Sequence, residues 1–217
     1  MTSPEAGLRA ELIRVARQML SSGLVRGTSG NVSARAPGSD QCLITPSGVD
    51  YETMEAEDLV LVDLAGRPVA AGRKPSVDTP IHVATYRARA DVGACIHTHS
   101  PYAAAFSTLG RAIPPLLTEP AGFLGGAVRV IDYVPPALSD TGDQVVAGLG
   151  RDRAVLLPNH GVFAVGENLK KCFGAAMAVE EGAHVAFIAM QLGTPTLVPD
   201  SELQRMHEFI HHRYGQH

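Results

Sequence analysis

The chain has 217 residues, 45% of them hydrophobic and 18% charged, a length and composition that lead us to expect a soluble globular protein with a single domain spanning 1–217. A net charge of -4 and a pI near 6.1 exclude the basic face of a nucleic-acid binder, although Arg26, Arg35, Arg73 and Lys74 leave the loops suited to a small anionic ligand. The three cysteines (Cys42, Cys95, Cys172) are no disulfide framework, and with no apolar signal core and no long uninterrupted apolar run, the cytoplasm is expected and a membrane is not.

Ser3-Pro4-Glu5 reads as an N-cap, a proline at the first helical position and an early acid. Leu8, Leu12, Val15, Ala16, Met19 and Leu20 then recur at helical spacing up to Gly23. The run from Gly27 to Arg35 (GTSGNVSAR) is a glycine and hydroxyl turn. It reads either as a nest of outward N–H groups for an anion or as a plain loop feeding a strand. Cys42–Ile44 and Leu59–Val62 are short strands, and Thr45-Pro46-Ser47-Gly48 is a turn exposing a hydroxyl and a glycine amide. A further turn at Ala65–Pro68 leads into Val69-Ala70, and together these suggest a partly antiparallel sheet.

Ser76 to Arg89 is expected to be helical, with Asp78 in the first turn and His82 four residues on, on the same face. The strand Val92–Ile96 runs into His97-Thr98-His99, and a strand sends residues i and i+2 to one side. A helix starts at Ser100-Pro101. From Gly110 to Pro136 periodicity is weak: prolines and glycines make a loop that passes Glu119 and ends in a strand, Val128–Tyr133. Ser139–Leu149 is helical, and the apolar runs Ala154–Leu157 and Val162–Val165 flank a turn that carries His160. Long and short amphipathic helices over Asn168–Leu192 and Ser201–His212 complete the chain, with Tyr214 in the tail.

Of nine histidines, His207, His211, His212 and His217 read as solvated surface, His184 as a core or interface residue, and His82 as structural. His97 and His99 stand where a strand enters a loop, which is where ligands gather in α/β folds. A catalytic zinc site needs three protein ligands and an open position, and His160 in its tight turn is the best third candidate. Asp78 is either a fourth ligand or an acid/base group. Glu119 is either a second acid/base group or a capping and salt-bridging residue.

Five stretches taken together resemble the class II aldolase/adducin-head family, which includes fuculose-phosphate and rhamnulose-phosphate aldolases and ribulose-phosphate 4-epimerase. They are Gly27–Ser33, Thr45–Gly48, Lys74–His82, His97–Ser100 and Asn159–Gly161, and the resemblance covers nearly the whole chain. It implies a three-layer α/β/α fold with a mixed, largely antiparallel central sheet, in a homotetramer with its sites between subunits. It implies that His97, His99 and His160 hold one divalent metal per subunit, zinc before manganese or cobalt. It puts the catalytic carboxylate at Asp78, the catalytic tyrosine at Tyr214 and the phosphate cradle at Thr28, Gly30, Asn31, Ser47, Gly48 and Ser76. Three departures stand out. Asp occupies position 78, where the fuculose-phosphate aldolases have Glu. Val77 replaces a second cradle serine. Glu119 falls near a tyrosine of the aldolases, in a loop that also lacks the epimerase's Asp.

The reaction so implied is cleavage of a phosphorylated sugar, a ketose 1-phosphate of the L-fuculose type, to dihydroxyacetone phosphate and an aldehyde through an enediolate. A pentulose-5-phosphate 4-epimerase, a sugar-acid phosphate decarboxylase or a ketose-phosphate dehydratase would use the same metal and base. A non-catalytic adducin-like interaction module would share the fold but lose the histidines.

Overall fold

The computed structural model describes residues 4–135 and 141–213. At its centre lies a six-stranded sheet of β1 (Asn31–Ala34), β2 (Gln41–Ile44), β3 (Val60–Asp63), β4 (Ala94–Thr98), β5 (Ala154–Leu157) and β6 (Gly161–Gly166). The order is β3-β2-β1-β4-β6-β5, and every neighbouring pair is antiparallel. Among the described residues the parallel component is one isolated bridge between Val130 and Leu156.

Alternation along the strands builds two cores. Ala94, Ile96, Leu156, Val162 and Ala164 face one cluster with Leu12, Val15 and Met19 of α1 (Pro4–Ser21) and Cys172, Ala175 and Val179 of α6 (Leu169–Leu192). Cys95, Val155, Leu157, Phe163 and Val165 face the other, with Ile81, Val83 and Tyr86 of α2 (Thr79–Ala88) and Val145 and Leu149 of α5 (Thr141–Leu149). The result is the expected three-layer α/β/α sandwich. Because both faces are buried, register is strongly specified: a one-residue slip of β4 would turn His97 into the α1–α6 core and Ile96 toward α2.

The remaining helices, α3 (Pro101–Thr108), α4 (Thr118–Leu124) and α7 (Asp200–His212), pack around α6 or one another. α6 has the length and apolar composition of a membrane span. Here it serves as a core helix: its Glu180 carboxylate accepts the N–H groups of Tyr102 and Ala103 at 3.0 and 2.9 Å. A carboxylate there satisfies orphan donors and the positive end of the α3 dipole. The three cysteines are buried free thiols.

Several sequence expectations require correction. The first sheet strand is β1, within the glycine and hydroxyl turn. Asp78 is the N-cap of α2 rather than a first-turn residue, and β4 extends to Thr98, so His97 lies inside the strand. The weakly periodic region contains α4, which carries Glu119, and no strand forms over 128–133. Val128 pairs only with Ile113, and Ile131 N–H donates to Leu156 along the edge of β5. His184 is exposed and stacked on Tyr102, ring centroids 3.9 Å apart, which removes the core alternative and leaves the interface one. His207 is half-buried with Nδ1 3.0 Å from the Gly122 carbonyl oxygen, rather than solvated. Position 122 has no room for a Cβ, which would lie 2.6 Å from that of Met206, so α7 can seat closely on α4.

Candidate metal centre

The start of β1, the end of β2, the end of β4 and the start of β6 all lie at one end of the sheet, as the register pairs Asn31 with His97, Ser33 with Ile44 and Thr98 with Val162. The loops at Gly27–Gly30, Thr45–Gly48, His99–Ser100 and Pro158–His160 therefore open at that end, and a bridge between Pro46 and Pro75 brings the 74–78 loop beside them.

His97 faces the α2 layer, 2% exposed, with its Nδ1 2.8 Å from the Val162 carbonyl oxygen. A carbonyl only accepts, so Nδ1 carries the proton and the Nε2 lone pair points outward. That nitrogen lies 2.8 Å from His99 Nε2 and 3.2 Å from His160 Nε2. His99 follows two residues on and is exposed, while His160 is half-buried. The turn that delivers His160 puts Asn159 in the left-handed region at φ 55°, which Asn enters more readily than most residues. His160 N–H then closes the turn on Leu157 O at 3.1 Å.

Two glycines allow the close approach. A Cβ at Gly30, where φ is 73°, would sit 2.7 Å from His97 O, and one at Gly161 would sit 2.1 Å from Thr98 O and 3.2 Å from His99 Cδ2.

Asp78 is 6% exposed, and its side chain makes no capping hydrogen bond to its own helix start. Its Oδ2 instead accepts from Asn31 Nδ2 at 2.7 Å and lies 3.9 Å from His97 Nε2. Burial by itself would raise this carboxyl, but His97 and the Asn31 amide, with His82 and His160, hold it below the usual carboxylate range. Burial pushes His97 down to about 3 and also lowers His99. Neutral imidazoles beside an ionised carboxylate are the protonation states a divalent ion requires.

The three histidines fit zinc. Tetrahedral Zn–N bonds of 2.0–2.1 Å place nitrogens about 3.3 Å apart, close to the spacing here. They form a group of three ligand atoms within 4.8 Å of one another, and Val162 provides the outer hydrogen bond that orients a ligand imidazole.

Around this centre, Thr28, Ser47 and Gly48 are exposed, Gly30 is half-buried, and Asn31 and Ser76 are buried. Ser47 N–H donates to Lys74 O and Ser76 N–H to Thr45 O, at 3.0 and 3.1 Å, which joins the 45–48 and 74–78 loops. Ser76 Oγ accepts from Asp78 N–H at 3.2 Å. Val77 between them is 61% exposed. Glu119 is exposed on the first turn of α4, in contact with neither the histidines nor Asp78. Tyr214 lies outside the described residues.

Three side chains that the sequence alone does not assign to the site, Ser33, His82 and Tyr86, join it through Asn31. His82 is 0% exposed; its Nε2 lies 2.6 Å from Asn31 Oδ1 and its Nδ1 2.6 Å from Ser33 Oγ, which lies 2.7 Å from Tyr86 Oη. The signal was there: Asp78, His82 and Tyr86 recur every four residues on one helix face, and Asn31 and Ser33 alternate on one strand face.

With this geometry in view, the family described as the Class II Aldolase and Adducin N-terminal domain matches residues 10–187. The chain is 35% identical over 198 residues to a 5-deoxy-D-ribulose 1-phosphate aldolase of Bacillus thuringiensis serovar kurstaki, covering 91% of this chain and 92% of the relative. It is 36% identical over 214 residues to the L-ribulose-5-phosphate 4-epimerase UlaF of Salmonella paratyphi C, covering 89% and 92%. Among solved structures, an L-fuculose 1-phosphate aldolase superposes with a TM-score of 0.90 at 31% identity, covering 97% of this chain and 98% of that one. On this breadth of match, the chain belongs to the class II aldolase and adducin N-terminal domain family.

Proposed function

We propose that this class II aldolase, a carbon–carbon lyase, cleaves a short deoxyketose 1-phosphate between C3 and C4 to dihydroxyacetone phosphate and a methyl-terminated aldehyde. The observation that carries the reading is the convergence of three Nε2 atoms with the Asp78 carboxylate 3.9 Å from one of them. A metal alone would serve many reactions; a metal-ligand cluster with a held carboxylate beside it suits proton transfer next to a carbonyl. The substrate class is supported by the relatives: 5-deoxyribulose 1-phosphate and L-fuculose 1-phosphate are both ketose 1-phosphates ending in a methyl group. The residues alone point to the L-fuculose type; the 5-deoxypentulose is the shorter member of the same class.

A divalent ion held by His97, His99 and His160 would supply Lewis-acid stabilisation of the negative charge that develops on the substrate oxygens at C2 and C3. The chain's own residues do the rest. As the C3–C4 bond breaks, its electron pair stays with C3; Asp78, ionised at rest, takes up one proton from solvent and delivers it to C3, returning to the carboxylate and giving dihydroxyacetone phosphate. The C4 hydroxyl loses its proton as the aldehyde forms, and Tyr214 of a neighbouring subunit in a homotetramer is assigned to relay that proton to solvent, so that one proton enters and one leaves. The open sheet end and the exposure of His99 suit a site completed by another chain. Thr28, Gly30, Ser47, Gly48 and Ser76 are assigned to the phosphate. Asn31 uses Nδ2 on Asp78, and an amide nitrogen has a second N–H to offer an anion.

A second reading, 4-epimerisation of a pentulose 5-phosphate, is favoured by the Asp at 78 and by the epimerase relative. Both are tested by supplying zinc-loaded protein with ketose 1-phosphates and pentulose 5-phosphates. Release of dihydroxyacetone phosphate from 5-deoxyribulose 1-phosphate supports the proposal; epimer formation without cleavage refutes it.

A further inference from the structure

We propose that His82 is a positioning residue: acting through Asn31, it fixes the Asp78 carboxylate within a one-way chain of hydrogen bonds that begins at Tyr86 and Ser33. This rests on the reading of Asp78 as the acid/base group.

The direction of each link follows from the one before it. An ionised carboxylate only accepts, so Asn31 must present its amide nitrogen to Asp78, as it does at 2.7 Å. That turns Asn31 Oδ1, an acceptor, toward His82, so His82 Nε2 must carry the proton across their 2.6 Å contact. A neutral imidazole has one N–H, which leaves Nδ1 as an acceptor for the Ser33 hydroxyl at 2.6 Å. Burial supports this neutral form, pushing His82 down to about 4. Ser33 has then committed its only proton, so the Tyr86 hydroxyl donates to Ser33 Oγ across 2.7 Å.

No link can reverse alone. A reversed Asn31 amide would set Oδ1 lone pairs against the carboxylate and an N–H against the His82 N–H. In a buried site that costs the full desolvation of both groups. Phe163 packs edge-on against the His82 ring at 5.3 Å between centroids, and with the side chain 0% exposed a swing of the imidazole would have to displace packed neighbours. The chain thus selects one Asn31 rotamer, and through it one carboxylate orientation beside His97.

The test uses zinc-loaded protein with two readouts: cleavage kinetics, and solvent deuterium incorporated at C3 of dihydroxyacetone phosphate, which reports the Asp78 proton transfer without any aldehyde. His82→Leu is expected to lower kcat and deuterium incorporation about 100-fold, the cost of a catalytic group misplaced by about 1 Å. KM should stay within about threefold, and metal content should be unchanged. His82→Gln keeps an N–H near the Nε2 position and should regain at least about tenfold. Should His82→Leu fail to fold, Ser33→Ala removes one hydroxyl and is expected to lower kcat about tenfold and to change the 15N shift of His82 Nδ1. Wild-type kcat in His82→Leu or in Ser33→Ala overturns the proposal, as does equal loss in the Leu and Gln variants at full metal content. Asp78→Asn separates the two readings: undiminished deuterium incorporation there would put the acid/base assignment itself at fault.

Discussion

Gly161→Ala tests whether the metal centre depends on how closely β6 approaches β4. A Cβ at position 161 would lie 2.1 Å from Thr98 O and 3.2 Å from His99 Cδ2. To restore even 3.0 Å, the carbonyl between the two ligand histidines must retreat by about 0.9 Å. Overpacking a core on this scale costs about 1–3 kcal/mol of stability. The retreat also moves His97 and His99, which would bind a metal in concert with His160, and disturbance of ligand support of this kind costs about 10–100-fold in metal affinity. Zinc affinity measured by competition with a chromophoric chelator, beside a thermal unfolding curve, separates the two effects. A variant that unfolds earlier but binds zinc with unchanged affinity would refute the argument that this contact sets the ligand geometry.

His97→Ala is expected to abolish stoichiometric zinc binding and at least about 99% of cleavage, since a two-histidine remnant lacks the third ligand of a catalytic site; metal analysis after dialysis checks it. Asn159→Gly should preserve both stability and activity, whereas Asn159→Val should destabilise by about 1–2 kcal/mol, the cost of a left-handed conformation, as read by chemical unfolding. Glu180→Ala should cost about 1–2 kcal/mol by leaving the Tyr102 and Ala103 N–H groups of α3 uncapped, measured the same way. The metal-free protein should lose stability as pH falls. His82 and His97 have folded pKa values depressed to about 4 and about 3 by burial, below an unfolded value near 6.5. The unfolded chain therefore binds protons first, and stability should be constant above about pH 6.5 and decline from there toward about pH 3. A midpoint that is flat across that window would refute the neutral buried assignment.

Much of the centre was legible because its spacings are those of single elements. His97-x-His99 follows the strand period, Asp78-x3-His82 the helix period, and Asn159-His160-Gly161 is a turn whose Asn accepts positive φ. What was not legible depends on contacts between elements. β1 is a four-residue strand directly after Gly30, and its turn-like composition conceals that its register against β4 aligns Asn31 with His97. α4 is hidden by Pro120 and Gly122, which are poor helix formers taken alone; Gly122 is there for the close approach of α7. His82 looked structural because a packed helix face says nothing of what lies opposite, and only the Asn31-x-Ser33 face shows that its neighbours are polar. Glu119 was singled out by its position in a Pro/Gly loop and near a tyrosine of the aldolases, and the fold places it on the first turn of α4.

The distribution of ligands along the chain has a consequence for assembly. His97 and His160 are 63 residues apart and meet only when β4 and β6 pair. The nascent or denatured chain offers zinc a local His-x-His pair and no more, so tight binding belongs to the completed topology. Non-local pairings of this kind form slowly. Zinc capture during refolding should therefore lag behind helix formation, and metal in solution should act on the finished fold, holding it by mass action, rather than as a template around which the chain collapses.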